Sequence, residues 1–524
     1  MRIFSALGAL IVLAGCTTVV PSNDVSVKPI QPPGVTSTAV SVTTSTSATS
    51  TSGTTNTTIT TTPRVTATTV SAPIPAPLAW TTCGQRIECS TLDVPLDYAR
   101  GEGGGFINLK IKRRKASGDS LGPLLVNPGG PGVGGTIMVD EAQSYFDPIL
   151  LDRFDLIAWD PRGTGQSEGM VCLDDLDTFM ALDPTPDNQA ERDAIAAADQ
   201  AFADGCKARH ARVLPFIGTE ESARDIDQIR QALRVEQISY FGFSYGSRLG
   251  ATYATLFPSR VRTMVIDGAE DPTASGEDLN LQQIVGFENA FATLLEKCAS
   301  DKGCAFHHGG QPGPAFESLM VQLDKEPLLV SADRVKVNQG VAINAVAEVL
   351  YSEDRWPALT RALAAAEKGD GAGLLSLYDS YTRRNSPGEN HLFDAFITIT
   401  CLDNPGPTDA AGIDAFLAKA AAAAPRLGKY LTSPSNVCPK LGPKHARFSI
   451  TGKGAGKILV VGTTGDPATP YNGTVTMAKT LEEGVLLTVK ANQHTGYGAN
   501  KCAGDAVDNV LVKLIFPPEG KICS

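Results

Sequence analysis

The sequence predicts an α/β fold: a mainly parallel sheet with helices on both faces and a large, mostly helical lid inserted between late strands. Three observations carry this prediction. Short apolar runs of strand length recur and end in Gly- and Pro-rich loops, as in PLLVNPGGPG (123–132) and FDLIAWDPRGTG (154–165). Helix-length amphipathic segments alternate with them, and strand–helix–strand alternation implies parallel strands joined by crossovers. After VRTMVIDG (261–268) the next sheet-type run is KILVVG (457–462), an interval far longer than one crossover needs.

The chain starts with MRIFSALGALIVLAGC, one Arg followed by an apolar run too short to span a bilayer as a mature helix. It reads as a signal peptide. Its end, Leu-Ala-Gly-Cys, resembles the lipobox of bacterial lipoproteins, in which the Cys, here Cys16, becomes the first mature residue and carries a diacylglyceryl group. Two acyl chains suffice for stable anchoring where one is marginal. Residues 17–78 are rich in Thr, Ser, Pro and Val and nearly free of charge, so they bury no core and read as a tether. As a coil it would reach on the order of 40 Å. The expected organisation is a signal peptide (1–16), a tether (17–78), a first core segment (79–272), the lid (273–450) and a second core segment (451–524).

Within the core, INLKIKRRK (107–115) alternates apolar and polar residues as a half-exposed strand does. TEESARDIDQIRQALRV (219–235) starts with a capping Thr and acids, then places Ile226, Ile229 and Leu233 on one helical face. It leads into the apolar run ISYFGF (238–243), then a helix from Ser247 to Leu256 closed by Pro258. GVLLTVK (484–490) follows KILVVG as the last buried-type strand. In the insertion, AAEKGDGAGLL and LAKAAAAAPRLG are Ala-rich and helical in character.

Composition narrows the function classes. A hydrophobic fraction of 42% and a charged fraction of 19% describe a globular body. A net charge of −11 argues against a nucleic-acid partner, and the lipid anchor is the only expected membrane contact. Setting Cys16 aside leaves an even set of cysteines, as an exported disulfide-bonded chain would have. Short loops favour Cys83–Cys89, Cys172–Cys206, Cys298–Cys304, Cys401–Cys438 and Cys502–Cys523. No cysteine or histidine grouping has zinc spacing, and the His307–His308 pair reads as a polar loop, so neither metal nor cofactor is expected.

Three serines stand between glycines in the G-x-S-x-G frame: Ser120, Ser167 and Ser244. Only Ser244, in GFSYG, sits between a buried strand and a helix, where a sharp turn raises the hydroxyl at the carboxyl edge of the sheet. Ser120 follows a charged run and has no helix after it. Its GDSL sequence resembles the GDSL lipases, but the downstream D-x-x-H of that group is missing. Ser167 lies in a loop without a following helix. A serine nucleophile needs an imidazole base oriented by a carboxylate. Of the histidines only His494, in KANQHTGYG, directly follows a strand at that edge, and Asp466, in LVVGTTGDPATP, ends the preceding one. The order Ser244, Asp466, His494 is that of the α/β-hydrolases. The oxyanion needs two backbone amides: one from Tyr245, after the nucleophile, and one from Gly129 or Gly130 in NPGGPG, with Gly130 preferred.

LLVNPGGPGVGG, FDLIAWDPRGTGQS, ISYFGFSYGSRLGATYATLFP, ITCLD, GTTGDPATP and NQHTGYG together resemble the actinobacterial tripeptidyl aminopeptidases, within the prolyl-aminopeptidase family of serine peptidases. The resemblance runs from about residue 80 to the C-terminus. It implies an α/β-hydrolase fold, a helical lid and release of short peptides from polypeptide N-termini. Ser244, Asp466 and His494 carry over as the triad, and the glycines after Asn127 as the oxyanion loop. One departure is Asn127 itself, where the wider family has His, which moves the chain away from proline-specific members. An α-ammonium held away from water needs a carboxylate. Glu270 and Asp271, after a sheet strand, and Asp403, in ITCLD, are candidates, and the resemblance favours Asp403. A carboxylesterase or lipase would use the same triad, and a non-catalytic envelope binding protein would not need it.

Overall fold

A computed structural model of the protein describes residues 74–386, 391–432, 437–442 and 445–524. The signal peptide, Cys16 and most of the tether lie outside the described residues.

Among the described residues, ten strands make one sheet: β1 (Thr81–Gly84), β2 (Ile87–Pro95), β3 (Phe106–Arg114), β4 (Pro123–Asn127), β5 (Asp155–Trp159), β6 (Ile238–Phe243), β7 (Val261–Asp267), β8 (Ile458–Thr463), β9 (Gly484–Val489) and β10 (Ile522–Cys523). Their order is β1-β2-β3-β5-β4-β6-β7-β8-β9-β10. β1, β2, β3 and β5 pair antiparallel in succession; from β5 through β4 to β10 every pairing is parallel.

The parallel strands read as unbroken apolar runs because both faces are covered. Leu124, Val126, Phe241, Val265, Leu459 and Val461 pack on one face against helices Pro148–Arg153 and Lys501–Lys513. Their sequence neighbours Leu125, Tyr240, Met264, Ile266 and Val460 pack on the other, against helices Thr219–Ala232 and Tyr245–Leu256. Each such side chain contributes about 1.5–3 kcal/mol when fully buried. β3 alternates as its sequence predicts, with Ile107, Leu109 and Ile111 buried.

Between β7 and β8 stands the expected helical lid. It has its own apolar core, built on Phe291, Phe316, Leu319, Val346, Leu359 and Leu374. AAEKGDGAGLL is not one helix. Helix Trp356–Ala366 ends, Gly369 turns at φ 87°, and a second helix starts at Ala372.

Three expectations need correction. The tether does not run to residue 78: Leu78 N–H donates to the Ala232 carbonyl at 3.3 Å and Arg234 donates to the Pro75 carbonyl at 2.9 Å. Thr219 does not cap its helix. Gly218 holds that position, and the Thr219 hydroxyl bonds Asp403 and Tyr245 instead. The roof over the sheet also has a second piece, helix Asp177–Met180 with Leu182 and Pro184 after it, which the sequence did not signal. All five disulfides pair as the short loops favoured.

Candidate active site

The register of the parallel strands brings several chain turns to one edge. Asn127 is level with Gly242, Phe243 with Asp267, Asp267 with Val461, and Thr463 with Val489. The segments just beyond carry Gly129 and Gly130, Ser244, Asp466 and His494.

Ser244 joins β6 to helix Tyr245–Leu256 with φ 55° and ψ −127°, a left-handed backbone unusual for a residue with a β-carbon. Such strain costs on the order of 1–3 kcal/mol and persists only where surroundings enforce it. Here they do. Ser244 N–H donates to the Asp267 carbonyl at 2.8 Å, and the flanking glycines leave no room for side chains. A β-carbon on Gly242 would lie 2.3 Å from the Gly246 carbonyl oxygen, and one on Gly246 would lie 2.7 Å from that of Asn127.

His494 presents Nδ1 to both Asp466 oxygens, at 2.9 and 3.0 Å. Asp466 is buried, and its carboxylate also accepts from the amides of Ala468, Thr469 and Thr495 and from the Thr469 hydroxyl. These contacts fix its orientation. The imidazole is pulled two ways. Burial pushes its pKa down, but the charge and hydrogen bond of Asp466, with Asp267 beyond, outweigh that and raise it. Its Nε2 is buried without a hydrogen-bond partner among the described residues, free to take a proton. The tight fit reaches Gly268, where a β-carbon would sit 3.3 Å from His494 Cε1 and 2.9 Å from the Thr469 hydroxyl.

Gly129 (φ 93°) and Gly130 (φ 118°) lie beside the elbow. A β-carbon on Gly129 would come within 2.5 Å of the Phe243 carbonyl and 2.8 Å of Ser244 Cβ. The Gly129 amide already donates to Asn127 Oδ1 at 3.0 Å, so it is not available as an oxyanion donor. That separates the two glycines and supports the preference for Gly130. Tyr245 N–H opens a helix, where the first amides have no intrahelical acceptor.

A cavity of about 560 Å³ opens over Ser244, between the sheet edge and both pieces of the roof. Phe179, Met180, Phe287, Ile343, Phe396 and Phe416 make much of its wall. Glu270, Asp271 and Asp403 line it, and among the described residues no Lys or Arg does. The three acids differ. Asp403 accepts from Thr219 N–H and, at 2.5 Å, from its hydroxyl, and stands 3.5 Å from His445, whose pKa that contact raises to about 9. Glu270 pairs with Arg248 at 3.1 Å. Asp271 accepts from the Thr273 amide and hydroxyl and from Gln282, all neutral donors.

The other serines are structural. Ser167 is fully buried, and its hydroxyl accepts from Lys110 N–H in β3 at 2.8 Å. Ser120 is exposed and bonds only within its own turn. Asp267 and Thr469 bond within the site and escaped sequence reasoning, although both stand in short segments already singled out. No spacing rule marks a residue that acts through its neighbours.

Fold and site together define a serine hydrolase. Residues 122–308 match the family described as alpha/beta hydrolase fold, and residues 424–523 the family described as TAP-like protein. Serine protease Hip1 of Mycobacterium tuberculosis is 33% identical over 480 residues, 85% of this chain and 91% of that protein. Carboxylesterase B of the same organism is 34% identical, over 87% of this chain and 92% of that protein. Tripeptidyl aminopeptidase of Streptomyces coelicolor is 28% identical, over 83% and 84%. The chain belongs to the actinobacterial tripeptidyl-aminopeptidase type of α/β-hydrolase.

Proposed function

We propose that this serine hydrolase is an exopeptidase that releases short peptides, tripeptides foremost, from free N-termini through an acyl-enzyme. Ser244 Oγ attacks the scissile carbonyl while His494 Nε2 takes its proton, and Asp466 stabilises the imidazolium that forms. Amides of Tyr245 and Gly130 receive the oxyanion. The imidazolium then protonates the leaving amine, and water, activated by the same base, releases the acyl peptide.

The observation that carries the reading is the roofed cavity over Ser244, lined by three acids and, among the described residues, by no Lys or Arg. A roof admits a chain end more readily than a mid-chain segment, and acids favour an ammonium. Asp403 and Glu270 each already face a cation, so the free counter-charge falls to Asp271 rather than to the Asp403 that the family resemblance favours. Turnover of free-amine reporters one, two and three residues long, beside a short ester, tests the reading. Preference for the three-residue peptide supports it. Preference for the ester would support instead the esterase reading suggested by the relative named carboxylesterase B.

The proposal extends to place. Cys16 would carry lipid and the Thr/Ser-rich residues 17–73 would hold the enzyme off the outer face of the cytoplasmic membrane. Five disulfides favour an exported protein. Mass spectrometry of the mature N-terminus checks it: a diacylglyceryl Cys16 is expected, and an unmodified Cys16 would refute it.

A further inference from the structure

Asp267 ends β7 and touches both halves of the catalytic apparatus through different atoms. Its main-chain carbonyl accepts the Ser244 amide at 2.8 Å, at a residue held at φ 55°. Its carboxylate accepts the Gly496 amide at 2.8 Å and the Tyr497 amide at 2.7 Å, one oxygen to each, just past His494. The side chain is fully buried, and no Arg or Lys neutralises it among its hydrogen-bond partners. A buried carboxylate without a cation is costly unless bonded, and two neutral amides repay only part of that cost. An Asn or Thr would offer only one acceptor oxygen to these two amides, so the carboxylate satisfies both and also brings its negative charge close to His494.

We propose that Asp267 is a positioning residue for hydrolysis: one residue sets the spacing between nucleophile and base, and its carboxylate charge favours the imidazolium of His494. The inference rests on the Ser244–His494–Asp466 mechanism above. The carbonyl anchors the elbow to the end of β7. The carboxylate pulls the chain after His494 onto the same point, so the imidazole and the serine are referred to one strand. Thr495 lies between, held at φ 67°, and its own amide is bonded to Asp466. The loop carrying the base is therefore pinned by Asp466 on one side and Asp267 on the other. The titratable groups facing Asp267 are His494 and Asp466. Burial, with a smaller push from Asp466, raises the Asp267 pKa to about 7, while the Gly496 and Tyr497 amides and His494 favour the ionised form.

The test compares wild type with Asp267→Asn, which keeps shape and one acceptor but removes charge. Because a misplacement of about 1 Å can cost a hundredfold in rate, kcat should fall roughly 10- to 100-fold. KM should stay within about threefold, because no atom of Asp267 lines the cavity. The acidic limb of kcat/KM should move to lower pH, because a negative charge that favoured the imidazolium has gone. A merely structural residue would change Tm and leave the limb in place. A second measurement needs no variant. In the wild-type protein, the downfield proton resonance of His494 Nδ1 should shift with pH in two steps, one for the imidazole and one for Asp267. Asp267→Asn with wild-type kcat or an unmoved limb would overturn the proposal, as would a single-step titration. Loss of all activity in Ser244→Ala with normal Asp267 behaviour in the resonance keeps the two proposals apart: a fully active Ser244→Ala protein would end the triad mechanism, whereas these outcomes address Asp267 alone.

Discussion

The main-chain amide of His494 donates to the carbonyl of Tyr351 at 2.9 Å, tying the base to the lid. Tyr351 follows lid helix Gln339–Leu350, and its ring meets the imidazole edge-on, with centroids 5.3 Å apart. The next residues repeat the link: Ser352 pairs with Gln493, and Asn492 donates to Glu353 at 2.7 Å. At the oxyanion loop a β-carbon on Gly132 would lie 1.9 Å from the Leu392 carbonyl of a second lid helix. The roof thus bears on both catalytic loops.

From this contact, Tyr351→Ala should lower kcat/KM by up to about tenfold, since an edge-on aromatic contact is worth about 0.5–1.5 kcal/mol. Steady-state kinetics checks this, and an unchanged rate at unchanged Tm would show that the ring does not steady the base.

Among the serines, Ser244→Ala should lose turnover by several orders of magnitude and lose fluorophosphonate labelling. Ser120→Ala should behave as wild type. Ser167→Ala should stay active but lose about 1 kcal/mol of stability, because the half-buried Lys110 amide loses its acceptor. Labelling and thermal melts of the three variants separate these outcomes.

The raised pKa of His494 sets a direction with pH. The base works unprotonated, so kcat/KM should decline as pH falls through a value above the ordinary 6.5 of a histidine. A pH–rate profile measures this, and an acidic limb centred below 6.5 would contradict the electrostatics described for Asp466.

His445 behaves differently, because its raised pKa concerns stability. Its folded value is about 9 and its unfolded value about 6.5, so the stabilisation is complete below 6.5 and disappears as pH rises through 9. His445→Gln should therefore melt well below wild type at pH 6, and the gap should narrow above pH 9. Melting curves at several pH values decide; a constant gap would mean that charge plays no part.

Much of this architecture was legible in the sequence. Buried parallel strands announce themselves as apolar runs, and β6 and β7 were found nearly to the residue. Ser244, Asp466 and His494 could be picked out because a loop at a strand's carboxyl end is both a local signal and a place in space. The helix–break–helix at 356–381 was misread because Ala-rich composition masked the turn at Gly369. Thr219 looked like a cap because its local pattern fits one; a tertiary partner, Asp403, claimed its hydroxyl. Asp403 itself could not be weighed without seeing His445, which is distant from ITCLD only in kind, since Leu402 accepts the His445 amide across a fold of the lid. Asp267 was invisible for a similar reason: its partners, Gly496 and Tyr497, are far along the chain.

The claim that matters most is that a free α-ammonium is bound in the acid-lined cavity, and kcat/KM on a tripeptide reporter tests it most directly. The reporter is measured with its amine free and acetylated, in wild type, Asp271→Asn and Asp403→Asn. Wild type should prefer the free amine by at least about tenfold, the value of one lost interaction of about 1.4 kcal/mol. Asp271→Asn should erase most of that preference, while Asp403→Asn should keep it. Equal rates on the two substrates in wild type would contradict the aminopeptidase account.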